Sequence, residues 1–339
     1  MSDPSLLAAS LLTQGKISDA VTVKLPLIQQ AATTDETIVS QKILPTIEIT
    51  SPEFSQQRRQ EIPSLQTNRL KPTVSEPTIT KAVIPRKFNT LPASGSQMYS
   101  QRLAALRAGK VYTRMPSNSF QSAWVKATEQ PTYEQWKQLL AKEAKAIATG
   151  QGSNQLTILV GDSLSLWFPS DRLPGDRLWL NQGISGDTST GILKRLSAFS
   201  QTRPDAIYLM VGINDLRRGA TNESILRNHR QILRRLRFNH PQARIIVQSI
   251  LPTRKAGLFN DRILQINQQL AAIAYQEGAT YLNLFGLFSD AEGNLRPDLT
   301  TDGLHLSPRG YEVWQYALQQ TNTWVALNRH TDLQKGLKR

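Results

Sequence analysis

The chain has 339 residues, a formal charge of +14 and no cysteine; 39% of it is hydrophobic and it carries six tryptophans. That composition supplies a sizeable core in one large or two smaller domains, and the missing thiols exclude disulfides, thiolate metal sites and a cysteine nucleophile. The longest early apolar stretch, residues 6–12, falls far short of the ~18 residues of a bilayer span. No Lys or Arg precedes it as in a secretory signal, so a soluble, cytoplasmic protein is the simpler expectation, although cysteine usage leaves the compartment open.

Residues 1–96 hold nine of the eighteen prolines, two of the nineteen glycines and no tryptophan. Such a chain buries too little apolar surface to offset its conformational entropy, so the expectation is a low-complexity, mostly disordered arm. Ile47-Glu48-Ile49 is β-prone within it, with no partner indicated. The arm carries ten Lys/Arg against eight Asp/Glu, which puts most of the excess charge further along. Weak, salt-screened attraction to anionic surfaces follows. No zinc finger, helix-turn-helix or RNA-stacking motif is present, so no specific nucleic-acid binding is expected.

Residues 97–152 read as a linker and one amphipathic helix. Thr132 and Gln135 form a capping box, Trp136, Leu140 and Ile147 share a face at 3.6-residue spacing, and Gly150 and Gly152 are natural stops. The narrow apolar face suits packing on the following domain better than lying in a membrane interface.

From residue 153 to 328 the pattern is regular. Apolar runs at 156–160, 178–180, 206–211, 245–250 and 280–284 alternate with helical stretches at 188–200, 223–238, 260–277 and 307–326. Near-continuous apolar strands separated by helices predict a mainly parallel five-stranded sheet inside a three-layer α/β/α sandwich. Residues 329–339 form a basic tail. In such sheets functional groups gather beyond the carboxyl ends of the strands, which is where Gly161-Asp162-Ser163 follows the first run.

Turn chemistry alone accounts for a Gly-Asp-Ser sequence; a nucleophilic Ser163 needs a base. Of the four histidines, His229 sits within a helix on a surface or half-buried face, His240 precedes Pro241 in a loop and His330 falls in the tail. His305 differs, because Asp302 precedes it by three residues just before a helix. One tight loop then lets Asp302 hold the imidazole tautomer and stabilise imidazolium, unless Asp302 merely caps a turn. Gly183 and Gly186 follow the second strand, and Gly212 and Asn214 the third. A glycine N–H and an asparagine amide are donors suited to an oxyanion, although permitted turns and helix capping by Asn214 and Asp215 explain each stretch taken singly.

Gly161-Asp162-Ser163, Asn181-x-Gly183-x-Ser185-Gly186, Gly212-x-Asn214-Asp215 and Asp302-x-x-His305 together resemble, in order and position, the four signature blocks of the SGNH hydrolases, also called the GDSL esterase/lipase family. The likeness covers roughly residues 156–326, with no departure at the key positions. It implies an SGNH, flavodoxin-like fold, with Ser163 as nucleophile, His305 as general base and Asp302 as its orienting acid. The Ser163 N–H, the Gly186 N–H and the Asn214 side chain would form the oxyanion hole, while Asp162 and Asp215 organise loops.

The expected reaction is hydrolysis of a carboxylic ester through an acyl-enzyme. No metal or cofactor is implied, the histidines lacking ligand spacing. The base must be neutral, so the rate should fall on acidification through the ordinary histidine range, ~6.5. The partner is a small acylated molecule, an ester of a lipid, carbohydrate or similar compound, and oligomeric state is not readable. The alternatives are an inactive SGNH-fold binding module that docks on a partner or anionic surface, and an acyltransferase using the same triad. Trp167, Phe168 and Trp179 read as core before acyl pocket. The run Arg217, Arg218, Arg227, Arg230, Arg234, Arg235 and Arg237 reads as a solvated helix face before a site for an anionic headgroup or sugar acid.

Overall fold

Five apolar runs become parallel strands where composition places them. The structure, a computed structural model, describes residues 21–22, 46–49 and 91–336. The five are β3 (Leu156–Gly161), β4 (Leu178–Gly183), β5 (Ala206–Met210), β6 (Arg244–Gln248) and β7 (Thr280–Asn283). Two short strands, β1 (Val21–Thr22) and β2 (Thr46–Ile49), extend the expected five to seven, in the order β1-β2-β7-β6-β5-β3-β4. β2 runs parallel to β7 with Ile47 opposite Leu282, and β1 is antiparallel to β2. The β-prone Ile47-Glu48-Ile49 thus has its partner in the last parallel strand. Residues 91–96 also depart from the expected disordered arm, since Ser94 caps a helix that begins at Gly95. The expected basic tail continues a helix as far as Gly336, and the remainder of arm and tail lies outside the described residues.

Helices cover both faces of the sheet, and alternation along the strands sorts the core. Ile158, Val160, Ile207, Leu209, Ile245 and Val247 pack with α7 (Asn222–Asn239) and α8 (Asn260–Gln276). Leu159, Tyr208, Met210 and Ile246 point the other way, to Trp314 and Leu318 of α10 (Pro308–Gly336) and to Ile47 of β2. Phe168 and Trp179 belong to this second layer as core, as read from the sequence, and Trp167 is half-buried against it.

A third cluster forms on the β4 side. α1 (Gly95–Arg107) and α3 (Tyr133–Gly150) pack Met98, Ala105, Trp136, Leu139 and Leu140 around Leu166 and Ile184. α3 starts with the expected capping box, Thr132 accepting from Gln135 N–H while Thr132 N–H donates to the Gln135 side chain. Arg102 of α1 is fully buried, paired with Glu143 of α3, and lies over the Tyr112 and Trp136 rings. Its Nη2 donates to Asn181 O at 2.8 Å, and Thr113 Oγ1 donates to Trp179 O at 2.6 Å. Side chains therefore occupy the outer carbonyls of edge strand β4, which would otherwise stand open.

The strand order reverses at β3, which has β4 on one side and β5 on the other. This is the switch point at which open α/β sheets leave a crevice beyond their carboxyl ends.

Candidate active site

β3 ends in glycine because nothing larger fits. A Cβ on Gly161 would lie 2.2 Å from Ser165 Oγ and 2.6 Å from Met210 O. The chain turns at Asp162, whose side chain accepts from Leu164 N–H at 3.0 Å and so opens the short helix α4 (Ser163–Leu166). Ser163 is the first residue of that helix and 7% exposed. A first-turn N–H has no acceptor within its own helix.

The second block holds α4 against the sheet. Asn181 Nδ2 donates to Ser165 O at 2.6 Å, and its Oδ1 accepts from Gly183 N–H at 2.9 Å. Gly183 is again obligatory, since a Cβ there would lie 2.3 Å from Leu166 N. Gly186 adopts φ +77°, a left-handed conformation that glycine tolerates. The next residue, Asp187, is buried in an ion pair with Arg195 at 2.7 Å, and Arg195 also donates to Gly161 O.

Beyond β5, Gly212 at φ +136° turns the chain into α6 (Ile213–Arg217). Asn214 is 3% exposed, and its Nδ2 donates to Asp187 O at 3.0 Å and to Asp162 Oδ2 at 3.3 Å. The same amide thus touches the residue before Ser163 and the residue after Gly186. Asp215 accepts from the Ser189 N–H and hydroxyl at 2.9 and 2.6 Å, which anchors the start of α5 (Ser189–Arg195). Burial pushes the Asp162 carboxyl up to about 7, opposed by the Leu164 N–H bond and aided by the charges of Asp187 and Asp215.

On the facing loop, Asp302 and His305 form one unit. Asp302 Oδ1 accepts from the Leu304 and His305 N–H groups at 3.0 and 2.8 Å, and Oδ2 lies 2.9 Å from His305 Nδ1. Partial burial works against ionisation of Asp302, but the His305 N–H, the ring and the Leu304 N–H outweigh it and hold the carboxyl well below the usual carboxylate range. Lys255 Nζ stands 3.5 Å from Oδ2. The loop is tied to the segment after β6, with Thr253 Oγ1 and Arg254 N–H both donating to Gly303 O. Leu304, Asp162, Leu164, Ile213 and Ile250 line one small apolar cleft. That brings the residues adjoining Ser163 and His305 to a single place, although no hydrogen bond joins Ser163 Oγ to the His305 ring.

Residues 147–313 match the model of the GDSL-like lipase/acylhydrolase family. This part of the chain belongs to that family. The GDSL-type region is 30% identical over 136 residues to platelet-activating factor acetylhydrolase IB subunit alpha1 of Homo sapiens, covering 39% of this chain and 58% of that protein. It is 26% identical over 162 residues to an N-acylneuraminate cytidylyltransferase of Streptococcus agalactiae, covering 48% of this chain and 37% of that one. The chain therefore spans little more than half of one relative and about a third of the other. A solved Streptococcus pneumonia chain named for platelet activating factor has the same fold at TM-score 0.51 and 24% identity, over 56% of this chain and 93% of that one.

The other histidines stay away from the GDSL-type cluster. His229 is buried rather than on a surface or half-buried face, and its Nδ1 pairs with Ile225 O at 2.8 Å. His240 is buried against the Phe199 ring, and the His330 side chain lies outside the described residues. Sequence reasoning missed Asp187 and Arg195, whose ion pair braces the Gly186 loop against Gly161. Their only signal is an acid and a base eight positions apart across a helix start. No cluster of three or more His, Asp or Glu side chains stands ready for a metal ion among the described residues. A cavity of about 290 Å³ opens elsewhere, between β4 and helices α1 and α3, and shares only Asn181 with these blocks.

Proposed function

We propose that this domain hydrolyses carboxylic esters through a covalent acyl-enzyme on Ser163. The observation that carries the reading is the 2.9 Å contact between Asp302 Oδ2 and His305 Nδ1. An ionised acceptor there keeps the proton on Nδ1 and leaves Nε2 as the ring's base. The depressed Asp302 carboxyl supplies that ionised acceptor throughout the range in which histidines titrate.

Ser163 Oγ attacks the ester carbonyl carbon while His305 Nε2 takes its proton. The carbonyl oxygen becomes an oxyanion, met by the Ser163 and Gly186 N–H groups and by Asn214 Nδ2. The long 3.3 Å contact from Nδ2 to Asp162 is the one an oxyanion would displace. The bond to the leaving alcohol then breaks and its oxygen takes the proton from Nε2. Water repeats the sequence on the acyl-enzyme, releasing the acid and restoring Ser163. Approach of Ser163 Oγ to the imidazole is the adjustment left to the substrate complex, since such hydrogen bonds are often loose before binding.

The test is release of p-nitrophenol from short-chain acyl esters by the wild type and Ser163→Ala, together with fluorophosphonate labelling and mass spectrometry of the labelled peptide. Turnover and labelling at Ser163, both lost in the variant, are expected. A folded wild type that does neither would refute the reading and favour a binding module. Product transfer to an added alcohol in preference to water would assign the same acyl-enzyme to an acyltransferase.

A further inference from the structure

The arginine run that reads as one solvated helix face divides into two groups in the folded chain. Gly219, at φ +75°, ends α6 before α7 begins. Three of the five α7 arginines do structural work, Arg230 and Arg234 pairing with Glu277 at 3.4 and 2.9 Å and Arg237 donating to Ala243 O and Gly278 O, while Arg227 is exposed on the helix. Arg217 and Arg218 lie on the other side of the break and turn to the candidate site. Arg217 Nη1 donates to Asn214 Oδ1 at 3.1 Å, and Arg218 Nη2 donates to Gly186 O at 2.7 Å. Both side groups belong to exposed residues, and neither has an acidic partner among the described residues.

The nearby acids do not supply one. Asp162, Asp187 and Asp215 are at most 4% exposed, and Asp187 is already paired with Arg195. Across the cleft, Lys255 is engaged with Asp302. A guanidinium has five N–H donors in a planar fork, so each arginine holds an oxyanion-hole candidate with one donor and keeps the others for solvent or ligand. One hydrogen bond already directs each guanidinium toward the site before any ligand arrives, which lowers the ordering cost of binding.

We propose that Arg217 and Arg218 form an anion subsite, and that the preferred ester carries a carboxylate or phosphate group close to its reactive carbonyl. Forked, charge-assisted hydrogen bonds to such a group discriminate it from a neutral substituent of the same size. The proposal rests on the esterase reading for its chemistry, but the subsite is testable without turnover.

The experiment measures equilibrium binding to Ser163→Ala, which cannot form the acyl-enzyme, using two matched pairs. One pair is mono-p-nitrophenyl succinate and p-nitrophenyl butyrate, with the charge on the acyl side; the other is 4-acetoxybenzoate and its methyl ester, with the charge on the alcohol side. The expected result is about tenfold tighter binding of the anionic member of at least one pair, shrinking as salt is added. Arg218→Gln in the same background should abolish the preference and Arg234→Gln should retain it. Equal binding within both pairs overturns the proposal. So does a preference that survives Arg218→Gln, or an equal loss for charged and neutral esters, which would mean the guanidinium only positions Gly186. Wild-type turnover of the same esters is scored separately, and its absence refutes the esterase reading while binding still decides the subsite.

Discussion

Replacing Asp302 by Asn separates the two things its carboxylate does. Oδ1 accepts two backbone N–H groups at 2.8 and 3.0 Å, and an asparagine carbonyl oxygen keeps both. Oδ2 is what changes: an NH2 group would face His305 Nδ1 across 2.9 Å. Two N–H donors cannot point at each other, so the ring proton moves to Nε2 and the imidazole presents a donor where a base is required. The lost charge-assisted bond to imidazolium costs about 1.5–3 kcal/mol, or roughly 10–150-fold, and the tautomer penalty adds to it. A fully buried triad carboxylate loses about 10⁴ on this substitution. Asp302 and His305 side chains are 42% and 41% exposed, so solvent screens the effect and the expected loss in kcat is about 10²–10³. The assay is p-nitrophenyl acetate hydrolysis at pH 8, with circular dichroism to verify an unchanged fold. Asp302→Ala is the internal control. It leaves the ring free to choose its tautomer, so it should be faster than Asp302→Asn although it removes more atoms. An Asn variant within tenfold of wild type, or slower Ala than Asn, would refute the reasoning.

Three further outcomes follow from the same geometry. Asn214→Ala should lower kcat by about 10²–10³ with little change in KM, as expected for a donor used in the transition state, and steady-state kinetics decide it. Gly183→Ala should yield little folded protein, because its Cβ would meet the Leu166 backbone nitrogen at 2.3 Å; a melting temperature equal to wild type would contradict the clash. Asp162 has a folded-state value of about 7 against an ordinary 3.8, so its contribution to stability is fully present below about 3.8 and is lost as pH rises through about 7. Wild-type stability measured relative to Asp162→Asn by urea denaturation should therefore decline between pH 5 and 8, and a rising difference would reverse the sign of the argument.

The parallel strands were legible because burial on both faces leaves continuous apolar runs such as residues 156–160 and 206–210. The GDSL-type blocks were legible because Gly161 and Gly183 admit no other side chain and because Asp302 and His305 are neighbours in sequence. α1 was not, since its buried face includes Ser96, Gln101 and Arg102, and a polar face satisfied by tertiary partners has no hydrophobic period. Nor was the seat of β2, because a parallel partner far along the chain leaves no local trace. The division among the arginines escaped notice for a third reason: it depends on whether Gly219 breaks the helix, and the residues on either side of that break are chemically identical.

The two outer margins of the parallel sheet are both sealed by residues that precede the family-matched segment 147–313. On one margin Ile47 and Ile49 of β2 are 0% and 6% exposed beside β7; on the other, Arg102 and Thr113 occupy the carbonyls of β4. A fragment trimmed to the matched segment would therefore present two raw strands to its neighbours in solution, each a template for intermolecular pairing. For this chain the family-matched segment ends short of the residues that cover the sheet edges, and a fragment that keeps both covers begins no later than Thr46.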